Sequence, residues 1–252
     1  MTNRNQPPAV PPALSRAAAA MDRLLGSKQW AVSPPPLNEP LPHLSTGIAE
    51  LDALIGGNPN RDGIVLCAGL PKGRITRLEG NRKELLCMAI AAKVVKDGGR
   101  VVYIAQAPHD QIMQMAAVFG VQAQHAKSGD AKQLGHDLSH KGLTFMDYST
   151  VGECLRAVYA SALSRVDLVI CDSVQPLPQW DAFLPVLRDR IHGNETVVIC
   201  YGTAVSAKFA QSLGLTVDSH SVHEGIETLA VEVTGCKVSD AQGRSAPIKI
   251  GG

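Results

Sequence analysis

Five short apolar runs, rich in β-branched residues, punctuate this chain: Arg74 to Leu78, Arg100 to Ala105, Leu143 to Met146, Asp167 to Cys171 and Thr196 to Tyr201. Between them lie stretches with helical periodicity at Glu84 to Lys96, Gln111 to Phe119, Val151 to Leu163 and Asp181 to His192. A continuously apolar strand must be covered on both faces, and strands that alternate with helices return parallel to one another. The pattern therefore predicts an α/β fold: a mostly parallel sheet covered by helices on both faces. Gly98, Gly99, Gly120 and Gly193 stand where those helices should end. Beyond Glu227 the segments T-L-A-V-E-V-T, G-C-K-V-S and A-P-I-K-I, with a turn at Ala241 to Arg244, predict an antiparallel C-terminal extension. Val121 to Lys141 is polar and longer than a usual connection, which predicts a mobile surface insertion.

The N-terminal part is of another kind. Residues 1–12 are polar and proline-rich, a composition expected to stay disordered. Within 13–32, Leu14, Ala17, Ala18, Met21, Leu24 and Leu25 recur at helical spacing, with Gly26 as a stop, so a short amphipathic helix is expected. The proline-rich stretch 33–42 is a stiff linker between that helix and a core spanning 43–252. An apolar stripe on a tether either folds back on its own domain or finds a partner surface, and the second is preferred here.

With 45% hydrophobic residues in 252, the chain suffices for one core plus this appendage. The formal charge of +1 gives no global attraction to nucleic acid. Cys67, Cys87, Cys154, Cys171, Cys200 and Cys236 lack C-x-x-C spacing, and several fall in apolar runs. They read as reduced core thiols of a cytoplasmic protein, not as a disulfide framework or a zinc site. No apolar run approaches the roughly 18 residues of a membrane span.

Three segments occur in a telling order: L-S-T-G-I-A-E-L-D from Leu44, G-L-P-K-G-R-I-T from Gly69 and D-L-V-I-C-D-S-V from Asp167. Together they resemble successive landmarks of the RecA recombinase core, so the expected fold is a RecA-like sheet with its antiparallel extension and a tethered N-terminal helix. Where that family carries its phosphate loop, this chain reads E-G-N-R-K-E-L-L from Glu79 to Leu86, and no Gly-Lys dipeptide occurs anywhere. A loop of the form G-x-x-x-x-G-K-[ST] curls backbone N–H groups around an anion, with Lys neutralising charge and Ser or Thr holding magnesium. Gly80, Asn81, Arg82, Lys83 and Glu84 supply none of those parts, and the helical pattern resumes about four residues too early to wrap a phosphate. Asn81 and Glu84 instead have the spacing of an N-cap and its reciprocal partner, a capping box that would use the donors a nucleotide needs.

Other positions the resemblance implies depart in the same direction. Asp172, followed by Ser173, falls at the Walker-B-like strand end where such nucleotide enzymes place a magnesium-directed carboxylate. It also reads as a strand-end Asp capping a turn, the reading preferred with no phosphate loop opposite. The water-activating acid of RecA relatives would fall on Gln106 or Ala107, with His109 and Asp110 displaced, and a Gln or Ala cannot act as general base. The nucleotide-sensing glutamine is replaced by Y-G-T-A after Cys200. No cofactor and no enzymatic activity are expected.

Lys72, Arg74, Arg77, Arg82 and Lys83 concentrate positive charge, and Lys72 and Arg74 are the best candidates for a phosphate-backbone contact, though a solvated face is as good a reading. Ala204 to Glu224 corresponds to the disordered DNA-contacting loop of RecA relatives; it carries Lys208 and Phe209 but little more, so DNA binding is expected to be weak or absent. His136 and His140 stand four apart, yet a surface pair fits them better than a metal site.

The chain most resembles the ImuA family, the RecA-like accessory proteins of bacterial damage-induced mutagenesis cassettes. The resemblance implies an adaptor in the DNA damage response that contacts RecA through Leu14, Met21, Leu24 and Leu25, and a Y-family polymerase-like cassette protein through another surface. An ATP-binding recombination mediator with an atypical phosphate loop is the alternative, and a free-standing single-strand DNA-binding module is the least favoured.

Overall fold

The computed structural model describes residues 40–60, 62–106, 110–127, 141–164, 166–172, 178–192, 194–201, 211–223, 226–237 and 239–251. The expected tail, the helix carrying Leu14, Met21, Leu24 and Leu25, most of the linker, and Ser173, Lys208, Phe209, His136 and His140 lie outside the described residues.

His43–Leu44 (β1) pairs antiparallel with Leu70–Pro71 (β2), a small ribbon beside the main sheet. Between them runs the helix Ala49–Gly56 (α1). The L-S-T-G-I-A-E-L-D landmark is a local hydrogen-bonded unit. Asp52 accepts from Ser45 Oγ at 2.6 Å and from the Thr46 N–H at 2.9 Å, fixing the entry to α1.

The remaining strands are Arg74–Gly80 (β3), Arg100–Gln106 (β4), Ala123–Lys127 (β5), Gly142–Tyr148 (β6), Leu168–Asp172 (β7), Val197–Tyr201 (β8), Gln211–His223 (β9), Ile226–Cys236 (β10) and Ser245–Gly251 (β11). They form one nine-stranded sheet in the order β11-β10-β9-β3-β8-β7-β4-β6-β5. Every pairing from β9 to β5 is parallel, and only β10, between β9 and β11, runs against the rest.

The helices Lys83–Lys96 (α2), Asp110–Val118 (α3), Val151–Leu163 (α4) and Pro178–Ile191 (α5) begin and end within a turn of the positions their periodicity predicts. Two apolar cores result. Leu86, Ile90, Tyr103, Ile170, Ile199 and Val231 belong to the one under α1, α2 and α3. Val102, Val158, Val169, Leu187 and Val198 belong to the one under α4 and α5.

Among the described residues, helical cover on both faces holds for the parallel part of the sheet alone. In β10 the residues alternate, with Leu229, Val231 and Val233 buried and Ala230, Glu232 and Thr234 exposed. The antiparallel arm therefore buries one face, against which α1 packs, and shows the other to solvent among the described residues. Burial pushes the thiols of Cys67 and Cys200 up to about 12. All six cysteines are free, and only Cys236 is even partly exposed.

Two expectations are corrected. The segment Val121 to Lys141 is not wholly an insertion, since Ala123–Lys127 adds the edge strand β5 beside β6. Gln124 and His125 of that strand are exposed, so its sequence lacks the apolar signature of the interior strands. Within Ala204 to Glu224, Gln211–His223 forms a long strand rather than a loop. Leu213, Leu215 and Val217 alternate into the core and explain it.

Candidate functional site

In an open α/β sheet, ligands bind beyond the carboxyl ends of the parallel strands, because helix N-termini and irregular connections converge there. In this chain Gly80, Tyr201 and Asp172 stand at the ends of β3, β8 and β7. Two strand spacings separate β3 from β7, so their ends are roughly 10 Å apart, a gap that a metal–polyphosphate spans.

The connection at Gly80 leaves no such room. β3 continues to Gly80 and α2 begins at Lys83, so Asn81 and Arg82 alone join strand to helix. Gly80 has φ +104, and the Asn81 N–H donates to Val217 O at 2.9 Å. The backbone at this strand-to-helix junction is thus stitched to β9. Arg82 reaches β10, its Nε 2.8 Å from Glu227 Oε1, an ion pair without hydrogen-bond alignment.

The expected capping box is absent. Arg82, not Asn81, is the N-cap; no side chain caps the helix; and Glu84 is the second helical residue instead of the third. The cause is the Asn81 N–H bond to Val217, which holds Asn81 with the sheet and delays the helix by one residue. Glu84 turns to Lys83, with Nζ to Oε1 3.1 Å.

Asp172 pairs in register with Tyr201 and lies on the α2 face of the sheet. Burial, then the nearby Glu84, push its carboxyl up to about 6, while Lys83 opposes them. Beneath, Tyr201 and Tyr103 share a buried hydrogen bond between their hydroxyls, and burial raises both phenols well above the usual range. The Tyr148 hydroxyl donates to Asp172 O at 2.7 Å, fixing the strand end from the other face. Gln106 ends β4, two places along the sheet from β8, and is exposed.

The basic cluster read from the sequence is dispersed. Lys72 and Arg74 sit at the amino end of β3, opposite Gly80, and Lys72 Nζ is 3.7 Å from Glu195. Arg74 and Arg77 lie on opposite faces, beside Val197 and Cys200 respectively. Arg77 pairs with Glu79, Arg82 with Glu227 and Lys83 with Glu84. Four of these five cations thus already face a glutamate, which weakens any attraction for phosphate.

Among the described residues, no group of three or more His, Cys, Asp or Glu is arranged to hold a metal ion, and no helix is long and apolar enough to cross a membrane. His125 Nε2 instead lies 2.8 Å from Asp147 Oδ2, tying β5 to β6. The arrangement holds a half-buried, partly compensated carboxylate at a strand end, and among the described residues it offers no anion nest. No protein-family model and no curated protein matches this chain.

Proposed function

We propose that this chain is a non-catalytic RecA-like protein of the ImuA kind, an adaptor in the DNA damage response and in translesion mutagenesis. It binds or caps RecA and links it to a Y-family polymerase-like cassette protein. The observation that carries the reading is the two-residue passage from β3 to α2. A strand end still carries a Walker-B-like aspartate, Asp172, while the phosphate-loop position is spliced by Asn81 to β9. The order of the three landmark segments along a mostly parallel sheet supports it as well. With ATP chemistry lost, what the resemblance leaves is partner binding, and the stripe Leu14, Met21, Leu24 and Leu25 is the docking element.

Such a protein adds to a RecA filament at one end and limits its growth, because each further interface in that family holds a nucleotide. Leu24→Asp places a charge in an apolar contact and should cost about 2 kcal/mol or more of RecA binding. Pull-down of RecA by the wild type and by Leu24→Asp, with filament lengths from electron microscopy, is the test. Equal binding by both rules out the helix, and no binding by either sinks the adaptor reading.

A second reading, an ATP-binding recombination mediator, draws on one observation: Lys83 and a strand-end carboxylate, Asp172, still lie within electrostatic reach of each other. Stabilisation by Mg-ATP separates the two readings.

A further inference from the structure

Lys83 occupies the first helical position of α2, where a cation meets the positive end of the helix dipole and gains nothing from it. Its side chain nevertheless turns inward, with 23% of it exposed. The ammonium donates to Gly80 O at 3.2 Å, stands 3.1 Å from Glu84 Oε1, and lies 5.8 Å from the centre of the Tyr201 ring. A carbonyl, a carboxylate and an aromatic face are the three kinds of group that attract a cation. Asp172, side by side with Tyr201, adds a second carboxylate, whose charged form the lysine favours.

We propose that Lys83 is a tethered internal cation, which fills the site at the carboxyl ends of β3, β8 and β7 and shuts it to small primary ammonium ligands from outside. The proposal deepens the non-catalytic reading, and rests on it, by naming what closes the site. A tethered group competes at the high effective concentration of an intramolecular contact, so external cations do not displace it. Gly80, bound by its own carbonyl to the ammonium and packed by its Cα against β9, fixes one wall. Tyr201, anchored by Tyr103, fixes another.

The test is chemical rescue on the full chain. Lys83→Ala removes the ammonium with the stem beyond Cβ and leaves a space that n-propylammonium fits. Thermal unfolding is followed with about 50 mM n-propylammonium chloride, against the same concentration of tetramethylammonium chloride, which matches ionic strength but cannot donate a hydrogen bond. The expected result is a rise of about 2 to 4 degrees in Lys83→Ala over the control salt, no selective rise in the wild type, and less than half the rise in Lys83→Ala/Asp172→Asn. No selective rise in Lys83→Ala, or an equal rise in the wild type, overturns the proposal. Where Lys83→Ala does not fold, Lys83→Met keeps the stem and is measured with ammonium chloride against the same control, with the same two outcomes. Neither nucleotide nor RecA enters this experiment, so its failure is distinct from failure of the adaptor reading, which the pull-down decides.

Discussion

Gly80 faces Val217 so closely that a Cβ built on the glycine would stand 1.9 Å from the Val217 carbonyl oxygen. Its φ of +104 is also a conformation that L side chains rarely adopt. The contact joins the end of β3 to β9 at the junction from which α2 starts. Gly80→Ala must push the two strands apart and strain the turn together, so it should cost about 3 kcal/mol or more. Urea denaturation of both proteins measures this, and a loss below about 1 kcal/mol would show that the junction yields easily.

The parts of this fold legible in the sequence were those with a strong period. The apolar runs of β3, β4, β6, β7 and β8 and the helices between them stand where the spacing puts them, because interior strands must be apolar throughout. β5 is not legible in this way, because an edge strand with exposed Gln124 and His125 lacks that signature. β9 is obscured for a different reason. Leu213, Leu215 and Val217 alternate as a strand requires, but the resemblance places the segment in a loop. At the candidate site, the shortness of the strand-to-helix passage was legible from Gly80 and the early return of helical spacing. The capping pattern was not, because a hydrogen bond from Asn81 to a residue 136 positions away decides where α2 begins.

A genuine capping box occurs elsewhere, at the start of α4. Thr150 Oγ1 accepts from the Glu153 N–H at 3.3 Å, while Glu153 Oε2 accepts from the N–H groups of Thr150 at 3.2 Å and Ser149 at 2.9 Å. These bonds also hold the Glu153 carboxyl below its ordinary range. Thr150→Ala should therefore lower stability by about 1 kcal/mol. Glu84→Ala, which breaks no cap, should change it by less than about 0.5 kcal/mol. Equal losses in the two variants, read from chemical denaturation midpoints, would contradict the assignment of the caps.

Asp172 makes stability depend on pH in a direction opposite to that of a paired carboxylate. Its folded-state value, about 6, lies above the ordinary 3.8, so the native state holds the proton more tightly than the unfolded chain does. Its contribution is fully present below about pH 3.8 and is lost as pH rises through about 6. Asp172→Asn removes the titrating carboxyl. The variant should gain on the wild type between those values and be more stable at pH 7 by about 1 to 2 kcal/mol, allowing for partial exposure. Denaturation at pH 4, 5, 6 and 7 checks it; a constant difference between the two proteins would mean that the carboxyl is not shifted.

The closed passage at Gly80 makes nucleotide binding the sharpest remaining question, because a ligand that binds only the native state must stabilise it. A nucleotide bound with a dissociation constant of about 50 μM, present at about 5 mM, would add about 2.7 kcal/mol. In a protein of this length that corresponds to a rise of roughly 5 to 10 degrees in the unfolding midpoint. The expected shift with Mg-ATP is below about 1 degree, since Asn81 is committed to β9, Lys83 is turned onto Glu84 and Gly80, and two residues cannot form an anion nest. Mg-ADP and magnesium alone serve as controls for phosphate count and for the metal. A reproducible rise of several degrees with Mg-ATP over magnesium alone would mean that the β3 to α2 passage opens to admit a triphosphate, and would move the reading to the recombination mediator.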